Sequence, residues 1–397
     1  MNDSFKRETR AWLEANAPKT LLGTRMGKFD GYWGGRKNEE SADDVLRWFE
    51  VMKEKGWTAP AWPKAWGGGG LLAEEAEVLN QLLQEYRLPP PLVGFGLTMI
   101  GPTLLDFGSA TQKSSHLPRI CKGEIRWCQG YSEPGAGSDL ASLRTKAVSD
   151  GDDFIVSGQK IWTSHADRSD WIFCLVRTSS TGKKQEGITF LVFDLNSPGV
   201  EVRNIELISG ASPFCEVFLD EVRVPKENVI GEIGDGWRVA KALLNYERSM
   251  IGEAIGGQMA RVEAELLSLA AEYRGVGGEV PTSLKDTIAK FSMRERAFVL
   301  TVQKVREQWI SGKKPGLESS ILKVVGSELK QWRWELAEEL RGLEGSGWAG
   351  EGFSEEALSD TRQWLRSRAN TIEGGTTEIQ LNVIAKRVLG LPLDGRR

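Results

Sequence analysis

Histidine is almost missing from this chain: His116 and His165 are its two, and they lie far apart. Without paired histidines the sequence offers no Ser-His-Asp relay. Cysteine is also sparse. Cys121, Cys128, Cys174 and Cys215 form no CxxC pair, so a zinc site is not expected and the four read as buried free thiols. Positive charge is not in excess, with Lys+Arg 51 against Asp+Glu 55 and a net charge of −4. A chain with pI about 5.6 has nothing with which to neutralise a phosphate backbone, so no nucleic-acid partner is expected. No apolar run approaches the roughly 20 residues of a membrane span. The opening Met1–Glu8 has no apolar stretch and is not read as a secretory signal, so the expected location is the cytoplasm.

What is present is ordinary soluble composition over considerable length. The chain has 397 residues, 40% hydrophobic and 27% charged, which suggests two or three domains. Fifteen tryptophans fit broad, flat packing surfaces. Three textures follow one another. Residues 1–125 read as helices joined by Pro/Gly-rich turns: Phe5–Asn16, Ala42–Lys55, Leu72–Tyr86 and Met99–Phe107 carry apolar residues at helical spacing. The tryptophan- and proline-rich run Gly56–Trp66 and the four glycines after it read as a rigid loop. Residues 126–235 hold short β-branched and aromatic runs between polar turns: Phe154–Ser157, Lys160–Ser164, Trp171–Arg177, Thr189–Asp194 and Glu216–Val222. They read as a compact central β-barrel. Residues 236–397 return to the helical period in Trp237–Tyr273, Leu284–Ser311, Ser319–Leu343, Glu355–Ser367 and Thr377–Leu389, long enough for a C-terminal four-helix bundle.

The most informative segment is Trp127-Cys128-Gln129-Gly130-Tyr131-Ser132-Glu133-Pro134-Gly135-Ala136-Gly137-Ser138-Asp139-Leu140. Its glycines expose amides and its hydroxyls are close together, which lets a backbone approach a planar or anionic ligand. By composition alone it is equally a turn between a helix and the barrel. No strand–GxGxxG–helix context surrounds it, so it is not a dinucleotide-binding fingerprint of that kind.

This segment resembles the signature of the acyl-CoA dehydrogenase family. So do Gly158-Gln159-Lys160-Ile161-Trp162-Thr163-Ser164 and the terminal Ile372-Glu373-Gly374-Gly375-Thr376-Thr377-Glu378-Ile379-Gln380, followed by Val388-Leu389-Gly390-Leu391-Pro392. The α, β, α order is similar too, so the resemblance covers essentially the whole chain. It implies bound FAD. It would set Gln129, Tyr131, Ser132 and Gly137 along the flavin loop and Ser138 at the pyrophosphate or the pantetheine arm. Trp162 would cover the ring edge, Thr163 would also lie at the cofactor, and Ser164 would face flavin N5. Thr376 and Glu378 open the last helix, where free amides suit phosphate oxygens; Glu378 reads equally as a first-turn acid. Two family elements have only partial counterparts here. Thr282–Phe298 lacks the Phe-Gly pair that reaches FAD of a neighbouring subunit, and Leu343–Trp348 is an incomplete Gly-Gly loop for the adenine half.

The implied reaction is α,β-dehydrogenation of an acyl-CoA thioester, which needs a base for the α-proton. With histidine scarce, a carboxylate is the natural base. Counting back from Glu378-Ile379-Gln380, the family's usual base position falls on Gly374, and Glu373 stands one place early. Val239, Leu243, Glu247, Met250 and Ala254 are spaced by three or four, so Glu247 interrupts an apolar stripe. Such a carboxylate is either a base or half of a structural ion pair. Leu244-Asn245-Tyr246-Glu247-Arg248 is similar to the base-bearing segment of the isovaleryl-CoA and long-chain branches, which also carry a small residue where Gly374 stands. The resemblance therefore implies Glu247 as base, the Gly374 amide on the thioester oxygen, and Asn245 and Arg248 at the substrate. It also implies an electron-transfer flavoprotein as acceptor and a homotetramer or heteromeric tetramer. A flavin oxidase or monooxygenase of the same fold, and a non-catalytic subunit of a heteromeric dehydrogenase, are the competing expectations.

Overall fold

A computed structural model describes residues 2–23, 31–37, 41–244, 262–273, 279–310 and 318–392. By contacts the chain divides into two compact units, one of residues 1–205 with 213–246 and one of residues 206–212 with 247–397.

The first unit opens with α1 (Asn2–Asn16), α2 (Asp43–Glu54) and α3 (Ala73–Glu85). Their apolar stripes meet in one core containing Leu13, Trp48, Met52, Leu79 and Leu82. A π-helical turn, Gly96–Ile100, leads into α4 (Gly101–Phe107), so the run read from Met99 begins as a different helix type. Next comes α5 (Ala110–Cys121), capped by Ser109 and Gln112 in a reciprocal capping box. The Gln112 side chain also donates to the carbonyls of Glu227 at 2.7 Å and Val229 at 2.8 Å, which fastens α5 to the strand region.

Seven strands form one sheet: β1 (Trp127–Gly130), β2 (Lys146–Asp150), β3 (Asp153–Ser164), β4 (Trp171–Arg177), β5 (Ile188–Asp194), β6 (Val200–Ile205) and β7 (Phe214–Pro225). The path runs β1-β4-β2-β3-β7-β6, with β5 on β4. β1 pairs parallel with the start of β4, and β2 meets β4 at its end through Lys146 and Arg177. Strand alternation sorts side chains into two cores. Cys128, Val156, Cys174, Leu191, Val217 and Val222, from five strands, converge in one cluster, so the sheet curls around them. The opposite faces of β1, β4 and β5 send Trp127, Phe173, Leu175, Phe190 and Val192 against Met99, Leu104, Leu117 and Ile120 of the helices.

Phe154–Ser157 and Lys160–Ser164 were two runs in the sequence; they are the single strand β3, broken in register at Gly158 and again between Lys160 and Thr163. A Cβ at Gly158 would lie 2.5 Å from Thr145 Oγ1, so this position needs glycine. β2 and β6 escaped the sequence reading because they bury so little: only Ala147 is buried on β2 and no residue on β6. The helix α6 starts at residue 236 and buries Val239, Ala240 and Leu243 against the second of these cores.

The second unit contains α7 (Val262–Glu272), α8 (Thr282–Ile310), α9 (Glu318–Arg341), α10 (Glu355–Ser367) and α11 (Thr377–Val383). Leu266, Leu284, Ile288, Phe291, Phe298, Leu322, Leu329 and Leu336 form its core. The last helix read as Thr377–Leu389 is instead α11 followed by a π-helical turn over Ile384–Val388. Among the described residues no helix is long and apolar enough to cross a membrane.

Candidate active site

Two neighbourhoods hold the motif residues. In the first unit, β1 delivers half-buried Gln129, and the chain then turns through buried Tyr131 and half-buried Ser132 into a tight loop. The Glu133 amide donates to the Ala136 carbonyl at 3.1 Å, and the Ala136 amide returns the bond to Glu133 at 3.0 Å. Gly137 and Ser138 are exposed beyond it. A Cβ at Gly135 or Gly137 would meet no atom within 4 Å. Crowding within the chain therefore does not demand glycine at either position.

A buried ion pair fixes this loop. Lys160 Nζ lies 2.8 Å from Glu133 Oε1, with Lys160 fully buried and Glu133 8% exposed. Glu133 also accepts from the amides of Arg144 at 2.6 Å and Thr145 at 2.9 Å, while Lys160 donates to the Tyr131 carbonyl at 3.2 Å. Burial alone would raise the Glu133 pKa; the Lys160 charge and these hydrogen bonds outweigh it and leave the carboxyl below its usual value. The sequence held a clue in the Lys160 of a β-run and the Glu133 of a glycine loop, but their pairing needed the fold. Asp170 was missed entirely. Fully buried, it accepts from the amide of Arg126 at 2.8 Å and from the amide and Nε of Arg36 at 3.1 Å.

The second motif docks on the first through the Ile161 amide, which donates to the Ser132 carbonyl at 2.9 Å. At the register break the backbone of Trp162 adopts φ 60°. The left-handed region costs a bulky residue about 1–2 kcal/mol. Trp162 nevertheless leaves its indole 53% exposed, edge-on to Phe214 at 6.0 Å. Thr163 beside it is fully buried, and its Oγ1 has no hydrogen-bond partner. Ser164 ends β3, half-buried and opposite Phe214.

In the second unit, the terminal motif forms the turn between α10 and α11. Gly374 (φ 63°) and Gly375 (φ 91°) are both left-handed and exposed. Neither amide donates to a group among the described residues. Thr376 caps α11, its hydroxyl accepting from the Ile379 amide at 3.2 Å. Exposed Glu378 has its carboxyl pKa lowered by its own amide and the Thr376 side chain. Thr377 Oγ1 and Gln380 Oε1 are buried without partners. Glu373 is tied down: Arg366 Nη2 lies 2.7 Å from its Oε2, and Asn370 Nδ2 donates to its Oε1 at 2.6 Å. Asn245, Glu247 and Arg248 lie outside the described residues.

Comparison with known proteins agrees with this layout. The N-terminal, middle and C-terminal domain models of acyl-CoA dehydrogenases match residues 32–124, 128–222 and 234–389. The chain is 34% identical over 399 residues to acyl-CoA dehydrogenase IpdE1 of Mycobacterium tuberculosis, covering 99% of each. A variant of the Tcur3481-Tcur3483 steroid ACAD superposes with TM-score 0.79 at 30% identity, over 99% of this chain and 100% of that one. The ChsE4-ChsE5 complex from Mycobacterium tuberculosis gives TM-score 0.75 at 27% identity, over 99% and 98%. The chain belongs to the acyl-CoA dehydrogenase family, whose members are FAD-dependent flavoproteins, and it is an oxidoreductase of lipid metabolism. The residues present suit that cofactor: open backbone at Gly135 and Gly137, an exposed strained indole at Trp162, and unpartnered hydroxyl and amide oxygens at Thr163, Thr377 and Gln380.

Proposed function

We propose that the chain converts an acyl-CoA thioester to its trans-2-enoyl-CoA and hands the electrons to an electron-transfer flavoprotein. The carrying observation is the pair of left-handed glycines at 374 and 375, whose amides have no acceptor within the described chain. The Gly374 amide donates to the thioester carbonyl oxygen, making the α-proton acidic by stabilising the charge that develops there. Glu247 takes that proton. In support, α6 buries Val239 and Leu243, the residues that precede Glu247 in the helical spacing. Bound FAD would supply the acceptor for the hydride that leaves the β carbon. Gln129, Tyr131, Ser132, Gly137, Ser138, Trp162, Thr163 and Ser164 hold its flavin end, and Thr376 and Glu378 its phosphates. Ser138, Asn245 and Arg248 contact the substrate.

Similarity to a structure named a steroid ACAD supports a bulky acyl group. Similarity to structures named for pairs of chains supports assembly with a second acyl-CoA dehydrogenase chain, and the incomplete glycine loop at Leu343–Trp348 points the same way. The test is anaerobic bleaching of the flavin absorbance by a panel of linear, branched and steroid-side-chain acyl-CoA thioesters. Bleaching by one class identifies the substrate; no bleaching by any of them overturns the reading. Rapid reoxidation in air without an added acceptor would assign the protein to flavin oxidases instead.

A further inference from the structure

The turn that carries Gly374 is held from below by α9 and from the side by α10. Lys323 Nζ donates to the Asn370 carbonyl at 3.0 Å, and Gln331 Nε2 donates to the carbonyls of Ser367 at 3.1 Å and Arg368 at 3.3 Å. Arg368 in turn pairs with Glu335 of α9 at 2.8 Å. These contacts fix residues 367–371 but stop short of the two glycines.

Glu373 supplies the last link. Its oxygens are taken by Arg366, at 2.7 Å and 3.4 Å, and by the Asn370 side chain at 2.6 Å. Asn370 thereby joins Lys323 of α9 to Glu373. Lys330, also on α9, has its pKa lowered chiefly by burial, with the charge of Glu373 opposing. Lys323 behaves alike and is only 6% exposed. Arg366 pairs with Glu373 directly, while Lys323 and Lys330 feel its charge. The next residue in the chain is Gly374.

We propose that Glu373 is a positioning residue: its ion pair with Arg366 and its hydrogen bond from Asn370 set the direction of the Gly374 amide toward the thioester oxygen. The inference rests on the reading of Gly374 given above. It assigns no proton transfer to Glu373, whose two oxygens are already engaged. Removing the carboxylate releases Arg366 and Asn370 beside a turn whose glycines have no side chains to pack, so the amide swings out of line. Small misplacements of this kind reduce turnover on the order of 10- to 100-fold.

The experiment uses the whole FAD-loaded enzyme with Glu373→Gln and, as a variant that keeps the charge, Arg366→Lys. Two quantities are read: kcat and KM across pH, and the infrared carbonyl stretch of bound, 13C-labelled enoyl-CoA. Expected are a kcat lowered about 10- to 100-fold in Glu373→Gln and less in Arg366→Lys, an almost unchanged KM and a retained acid limb of the kcat profile. The downshift of the carbonyl stretch shrinks in parallel. Loss of turnover and of the acid limb with an intact carbonyl shift would make Glu373 a base and overturn the inference. A carbonyl shift and turnover that survive both substitutions overturn it alone. Absence of any shift in the unaltered enzyme removes the Gly374 reading and the inference with it.

Discussion

Replacing Lys160 with methionine isolates the buried pair that fixes the flavin loop. Glu133 would keep its hydrogen bonds from the Arg144 and Thr145 amides but lose the cation 2.8 Å away. A carboxylate left unpaired in the interior costs about 3–5 kcal/mol, so equilibrium urea unfolding at pH 7 should show a loss of that order. The pH dependence gives an independent reading. In the parent protein Glu133 has a lowered pKa, so its contribution is complete above the unfolded carboxyl value of about 4.3 and disappears as pH falls through the lower, folded value. In Lys160→Met only burial and two amides act on Glu133, so it protonates at a higher pH and ceases to be a buried charge. The deficit of the variant should therefore narrow steadily as pH falls from 7 towards 4. Glu133→Gln combined with Lys160→Met should be more stable than Lys160→Met alone, because no charge remains to bury. A deficit under about 1 kcal/mol, or one that does not change with pH, would refute the argument that this pair holds the loop by buried electrostatics.

Three other outcomes follow from the site. Glu247→Gln should lower kcat by about 10²- to 10⁴-fold while FAD remains bound, checked by steady-state assay with a dye acceptor and by the flavin absorbance of the purified protein. Gly374→Ala places a Cβ at φ 63° and should cost about 1–2 kcal/mol in unfolding free energy together with a fall in kcat. Trp162→Gly relieves the backbone at φ 60° but removes the exposed ring; the apo unfolding midpoint should not fall, while FAD dissociation, followed by flavin fluorescence, should quicken.

The helical elements were legible because their apolar residues recur at the period of the surface they bury. Ser354 caps α10 and begins it where the sequence places it, at Glu355. The strands were legible only where they are buried: β4 and β5 read clearly from Trp171–Arg177 and Thr189–Asp194, whereas β2, with one buried residue, carries no apolar pattern. The site divides in the same way. Glycine loops stand out as breaks in the periodic texture, whereas Trp162 stands out only through the resemblance of its motif. The partners of Glu133, Asp170 and Glu373 do not stand out. Glu133 finds Lys160 27 positions away and Asp170 finds Arg36 134 positions away, and nothing in local composition encodes either pairing.

This difference bears on the most conspicuous acid of the terminal motif. By sequence alone Glu373 competes with Glu247 for the role of base, since both are carboxylates near a family motif. The geometry shows what holds Glu373. Arg366 and Asn370 hydrogen-bond to both oxygens of Glu373. A general base needs an oxygen within hydrogen-bond reach of the proton it takes, and at Glu373 that oxygen must first be released from Arg366. Gly374, with no side chain and an amide that has no acceptor among the described residues, can donate to a carbonyl but cannot accept a proton. On the proposed reading the proton goes instead to Glu247, whose place in the sequence continues the spacing of Val239 and Leu243.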